Sequence, residues 1–170
     1  MAVAHRADDL IRLFNELFSE EYRCQLVCGQ HEPVYRPTTE PGAFHRLEFA
    51  HGFFASALHE VAHWCIAGEQ RRRQVDFGYW YLPERDPMQQ AEFEAVEVAP
   101  QVLESVFSDA AGFKFRPSLD NLELRPDPAE FLAKVKQAKA ERLAAGLPTR
   151  AAQFHRALTD FYDVAESALP

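Results

Sequence analysis

Positive charge is in short supply: 18 lysines and arginines stand against 26 aspartates and glutamates in 170 residues, a formal net charge of −8. A protein that neutralises phosphates needs a basic face, and a negative field opposes that approach, so nucleic acid is not the expected partner. No apolar run is long enough to span a bilayer. The stretch from Met1 to Leu13 carries Asp8 and Asp9 and lacks the unbroken apolar core of a signal peptide, which points to the cytoplasm. Cysteine is sparse as well. Cys24, Cys28 and Cys65 are an odd set, read most simply as reduced thiols. Cys24 and Cys28 would share a face if helical, but no second pair exists to close a structural zinc site. Internal repeats and low-complexity segments are also missing. With hydrophobic residues at 47%, residues 1–170 are expected to form one globular domain with a real core.

Helical periodicity dominates what is present. Asp8 or Asp9 is placed to cap a first helix with Leu10, Ile11, Phe14, Leu17 and Phe18 on its apolar stripe. Residues 29–43, rich in proline and glycine, read as an extended loop, and residues 45–50 as a short strand. A second helix spans 53–67 and should close at Gly68 in the left-handed conformation. Residues 75–81 alternate and form the clearest strand; residues 88–107 are helical, with Pro100 kinking or dividing the run. After a loop over 112–126, Asp127 and Pro128 open a helix with Glu130 completing a capping box. It ends at Gly146, and Thr149 caps a final helix buried through Phe154, Leu158 and Phe161. The fold class is therefore α+β: a compact, helix-rich domain with a small sheet.

The second helix, FFASALHEVAHWCIAG, is apolar all round and belongs in the core. Besides Cys65 its only ionisable groups are His59, Glu60 and His63. Buried charge is costly unless paired or bound to metal. The HEVAH spacing answers that difficulty, because residues four apart lie one turn apart on one face and two imidazoles can converge on a cation. Glu60 is rotated aside, within reach of a metal-bound water or substrate, and is the candidate catalytic carboxylate. The bland alternative is two core histidines satisfied by backbone carbonyls.

A third ligand is sought in QAEFEAVEVAPQ, where Gln90, Glu94, Glu97, Gln101 and Glu104 form one narrow polar wedge. Such a wedge commonly faces water, or holds a network behind a site. The sharper expectation is that Glu97, or failing that Glu94, points at the metal. Two histidines and a carboxylate leave open positions; the set suits a zinc hydrolase with Glu60 as general base, and equally an iron(II) site that activates dioxygen. His45 and His51 are expected to be structural or exposed, and His5, His31 and His155 exposed. Asp76 either supports a ligand histidine or faces solvent. Tyr79, Trp80, Tyr81 and Trp64 read as core or pocket wall. Arg71, Arg72 and Arg73 complement the dipole at a helix end and form a small basic patch that an acidic partner could use.

The blocks FAHGFFASALHEVAHWCIAG, DFGYWY and QAEFEAVEVAPQ, in that order, closely resemble the elongation factor P hydroxylase family, and the likeness extends through GFKFRPSLDNLE and the terminal helices. The resemblance implies a non-haem, iron-type monooxygenase that hydroxylates the β-lysyl-modified lysine of translation elongation factor P, the last step of that modification. It also implies a zincin-like HExxH active-site helix. The metal set carries over to His59, His63 and Glu97, with Fe(II) as the ion, dioxygen as co-substrate and zinc as an in vitro occupant. The runner-up on motif alone is an HExxH zinc metallopeptidase.

Overall fold

The computed structural model describes residues 3–77, 86–118 and 128–163. The first helix, α1 (Ala7–Phe18), buries Leu10, Leu13, Phe14 and Phe18. It begins one residue before the expected caps: Arg6 is the cap position and makes no side-chain cap bond. Asp8 and Asp9 instead lie in the first turn, where negative charge complements the helix dipole.

Three short strands follow: β1 (Cys24–Cys28), β2 (Val34–Arg36) and β3 (His45–Phe49). β3 is central, parallel to β1 and antiparallel to β2, with Leu47 opposite both Leu26 and Tyr35. Thus the segment expected to be wholly loop contains a strand. Cys24 and Cys28 sit at opposite ends of β1, about 13 Å apart at strand rise, so they cannot pair on a helix face. All three cysteines are free thiols. Asp76 bridges to Tyr35 through two backbone bonds of 2.8 and 3.0 Å. The rest of the strand expected at 75–81, from residue 78 on, lies outside the described residues.

Helix α2 (Phe54–Ile66) carries HEVAH and buries Phe54, Ala57, Leu58, Val61, Ala62, Trp64 and Cys65. It packs on α1, β3 and two later helices, α3 (Pro87–Ala111) and α5 (Thr149–Tyr162). Its end differs from expectation. The chain leaves through Ala67 in extended backbone (φ −60°, ψ 122°), and Gly68 is not left-handed. The orphan carbonyls are met from outside: the Arg150 guanidinium, on α5, donates to Trp64 O and Ala67 O, each at 2.6 Å.

Asp86 and Gln89 form a capping box at the start of α3, with Pro87 in the first turn. Pro100 neither ends nor divides the helix. The backbone bond it removes would run to Val96, on the wet side where water can replace it. The fourth helix, α4 (Pro128–Ala145), buries Phe131 and Val135 against Val102 of α3 in a small second cluster. Its expected cap, Asp127, lies outside the described residues. On α5 the cap position is Pro148, Thr149 is the first helical residue, and Tyr162 rather than Phe161 takes the buried position. Among the described residues, five α-helices and one three-stranded sheet make an α+β fold. Among the described residues no helix is long and apolar enough to cross a membrane.

Candidate metal centre

Packing of α2 against α3 turns the HEVAH face towards the polar wedge of α3. The wedge does not face water: Gln90, Glu97, Gln101 and Glu104 are all buried. His63 Nε2 lies 2.9 Å from Glu97 Oε1, His59 Nε2 lies 3.4 Å from Glu97 Oε2, and the two Nε2 atoms are 3.1 Å apart. Each of the three residues thus offers a donor atom, and the donors lie within 4.8 Å of one another. Nitrogen and oxygen ligands about 2.1 Å from a single ion stand roughly 3.0–3.4 Å apart. The donor set therefore fits a divalent cation in both chemistry and spacing. Glu94 is half-buried and is not part of the converging group.

Behind these donors lies a further layer. Glu104 Oε1 is 3.2 Å from His59 Nδ1. Gln101 donates through Nε2 to Glu97 Oε2 at 3.2 Å and to Ser118 O at 2.7 Å, and its Oε1 accepts from Ser118 N at 3.1 Å. The electrostatics follow from burial and pairing. For His59, burial favours the neutral ring but is outweighed by the Glu104 bond and the charges of Glu104, Glu97 and Glu60, which push its pKa up to about 10 in the metal-free protein. Burial opposes ionisation of Glu97, yet the His63 bond, the two histidines and Gln101 bring it down to about 2. Burial raises the pKa of Glu60, with the histidines pulling the other way.

Glu60 makes no hydrogen bond or ion pair among the described residues. It lines a cleft with Tyr35, His63, Trp64, Arg71 and Asp76. Asp76 accepts from Arg71 Nε at 2.6 Å and Nη2 at 3.4 Å. The basic run forms a short 3-10 helix (Arg71–Arg73) whose charges are engaged within the chain: Arg72 lies over the Tyr22 ring and Arg73 pairs with Glu69. Tyr79, Trp80 and Tyr81 lie outside the described residues. His51 is exposed, and His45 Nδ1 accepts from Thr38 N at 3.0 Å. His5 was expected at the surface but is part-buried, its Nε2 2.6 Å from Ala111 O and its ring against Phe54, Phe113 and Tyr162. The contacts of Glu104 and Gln101 escaped sequence reasoning. Their signal was the wedge itself, whose members share one helix face without revealing what that face meets.

A family profile described as elongation factor P hydroxylase matches residues 13–169. A relative from Haemophilus influenzae, named elongation factor P lysine hydroxylase, is 44% identical over 160 residues, covering 93% of this chain and 90% of the relative. With a match over nearly its whole length, the chain belongs to the elongation factor P hydroxylase family.

Proposed function

We propose that this protein hydroxylates a lysine side chain of elongation factor P at a divalent metal ion held by His59, His63 and Glu97. The observation that carries the reading is the convergence of two imidazoles and one buried carboxylate, 2.9–3.4 Å apart, in a member of this family. Lysine is the residue named for the relative. The finer reading follows the resemblance: Fe(II) as the ion, dioxygen as co-substrate, monooxygenase-type chemistry, and the β-lysylated lysine as target. Residues 1–170 act as one catalytic domain in the cytoplasm, with HEVAH on a zincin-like active-site helix. Neither nucleic acid nor a membrane is a partner.

An aliphatic lysine carbon has no acidic proton, so a redox-active ion in this site would supply the dioxygen activation that acid–base side chains cannot. The chain's own residues do the rest. His59, His63 and Glu97 bind. Tyr35 and Trp64, both buried, form an aromatic wall of the cleft and exclude water. Glu60 is the catalytic-site carboxylate left free. In the metal-free protein burial raises its pKa, and a nearby cation, whether the bound ion or an incoming ammonium, would favour the anion that pairs with it.

The test is the intact mass of β-lysylated elongation factor P after incubation with the iron(II)-loaded protein and ascorbate, which supplies the two electrons that reduce the second oxygen atom of dioxygen to water, in air and under nitrogen. A gain of one oxygen atom in air alone is expected. No gain, with iron loading confirmed, would overturn the hydroxylase reading and favour the zinc metallopeptidase, which needs no dioxygen.

A further inference from the structure

Glu104 is a carboxylate that the binding set does not use, yet it is only 6% exposed. An ionised carboxylate in that position costs several kcal/mol unless it is paired. Among the described residues its one side-chain partner is His59 Nδ1, at 3.2 Å. Lys139, which reaches this stretch of α3 from α4, is committed to Ser105 and Asp109. An imidazole held by a carboxylate at Nδ1 carries its proton there, which leaves the Nε2 lone pair as the free donor. That Nε2 is the atom 3.1 Å from His63 Nε2 and 3.4 Å from Glu97. Glu97, Gln101 and Glu104 are spaced so that one face of α3 supplies a binding carboxylate and, one and two turns on, the groups that steady it and its histidine neighbour.

We propose that Glu104 is a positioning residue for the metal: its carboxylate fixes the Nδ1–H tautomer and the ring orientation of His59, and makes Nε2 a stronger donor. The proposal rests on the metal reading above. It also assigns unequal roles to the two histidines, because among the described residues only His59 is backed by a carboxylate.

The experiment compares wild type, Glu104→Gln and Glu104→Ala, with Glu94→Gln as a control on the same helix. Zinc affinity is measured by chelator competition, and the His59 Nδ1–H resonance is followed by proton–nitrogen NMR of the zinc-loaded proteins. Circular dichroism checks that each variant is folded. Glu104→Ala should bind one zinc about 10- to 100-fold more weakly and lose the protected Nδ1–H signal. Glu104→Gln, whose amide oxygen still accepts the bond, should keep the signal and lose less affinity. Glu94→Gln should match wild type. If folded Glu104 variants bind zinc as wild type does with an unchanged resonance, the positioning role is overturned while the metal reading stands. If wild type itself binds no zinc, the metal reading fails and this inference falls with it.

Discussion

Replacing Arg150 with alanine tests what holds the HEVAH helix in place. The guanidinium donates to Trp64 O and Ala67 O, each at 2.6 Å, and lies 4.5 Å from the centroid of the Trp64 ring. Hydrogen bonds from a charged donor contribute about 1.5–3 kcal/mol each, and a partly desolvated cation–π contact about 0.5–2 kcal/mol. The three interactions share one side chain and do not add fully, so a loss of about 3–5 kcal/mol is expected. For a chain of 170 residues, 1 kcal/mol corresponds to roughly 3 °C in Tm. The metal-free Arg150→Ala protein should therefore melt about 9–15 °C below wild type in a thermal scan. Arg150→Lys keeps the charge but not the two-pronged fork, and should lose about half as much. His63 lies in the last turn of α2, and its carbonyl accepts from Ala67 N at 3.0 Å, so loosening this end should also weaken metal binding. A drop of less than about 3 °C for Arg150→Ala would refute the idea that this side chain supplies the helix's C-terminal cap.

Two further outcomes can be checked with simple assays. His63→Ala and Glu97→Ala should each abolish stoichiometric metal binding in equilibrium dialysis, and hydroxylation with it; one bound ion in either variant would remove that residue from the donor set. His45 has a pKa lowered by burial and by the Arg23 and Arg72 charges, and its Nδ1 accepts the Thr38 N–H. Below its ordinary value of 6.5 the unfolded chain takes up the proton first, so stability from this site is complete above that pH and declines as pH falls towards the folded-state pKa. In urea titrations of the metal-free protein, wild type should lose more stability between neutral and mildly acid pH than His45→Gln; equal losses would contradict the lowered pKa.

The features legible from sequence were those set by spacing within one element. The period of Leu10, Phe14 and Phe18 marks α1, the HEVAH spacing places two imidazoles on one face of α2, and the wedge from Gln90 to Glu104 singles out a face of α3. Side chains three or four apart on a helix meet whatever the rest of the chain does. Strands β1 and β2 did not announce themselves. Each is five residues or fewer, and their hydrogen bonds are completed only by β3, the central strand. The end of α2 departs from its sequence signal for a related reason. A glycine just past a helix suggests a local cap, but here an arginine 83 residues beyond Ala67 does the work.

Sequence alone thus determined which residues could share a face: His59 with His63, and Glu97 with Gln101 and Glu104. It could not determine what each face would meet. That Glu97 rather than Glu94 joins the histidines, and that Glu104 reaches His59 Nδ1, depends on how α3 packs on α2. That packing is a sum over contacts distant in the chain, and a rotation of one helix by a single residue position would bring a different carboxylate to the site.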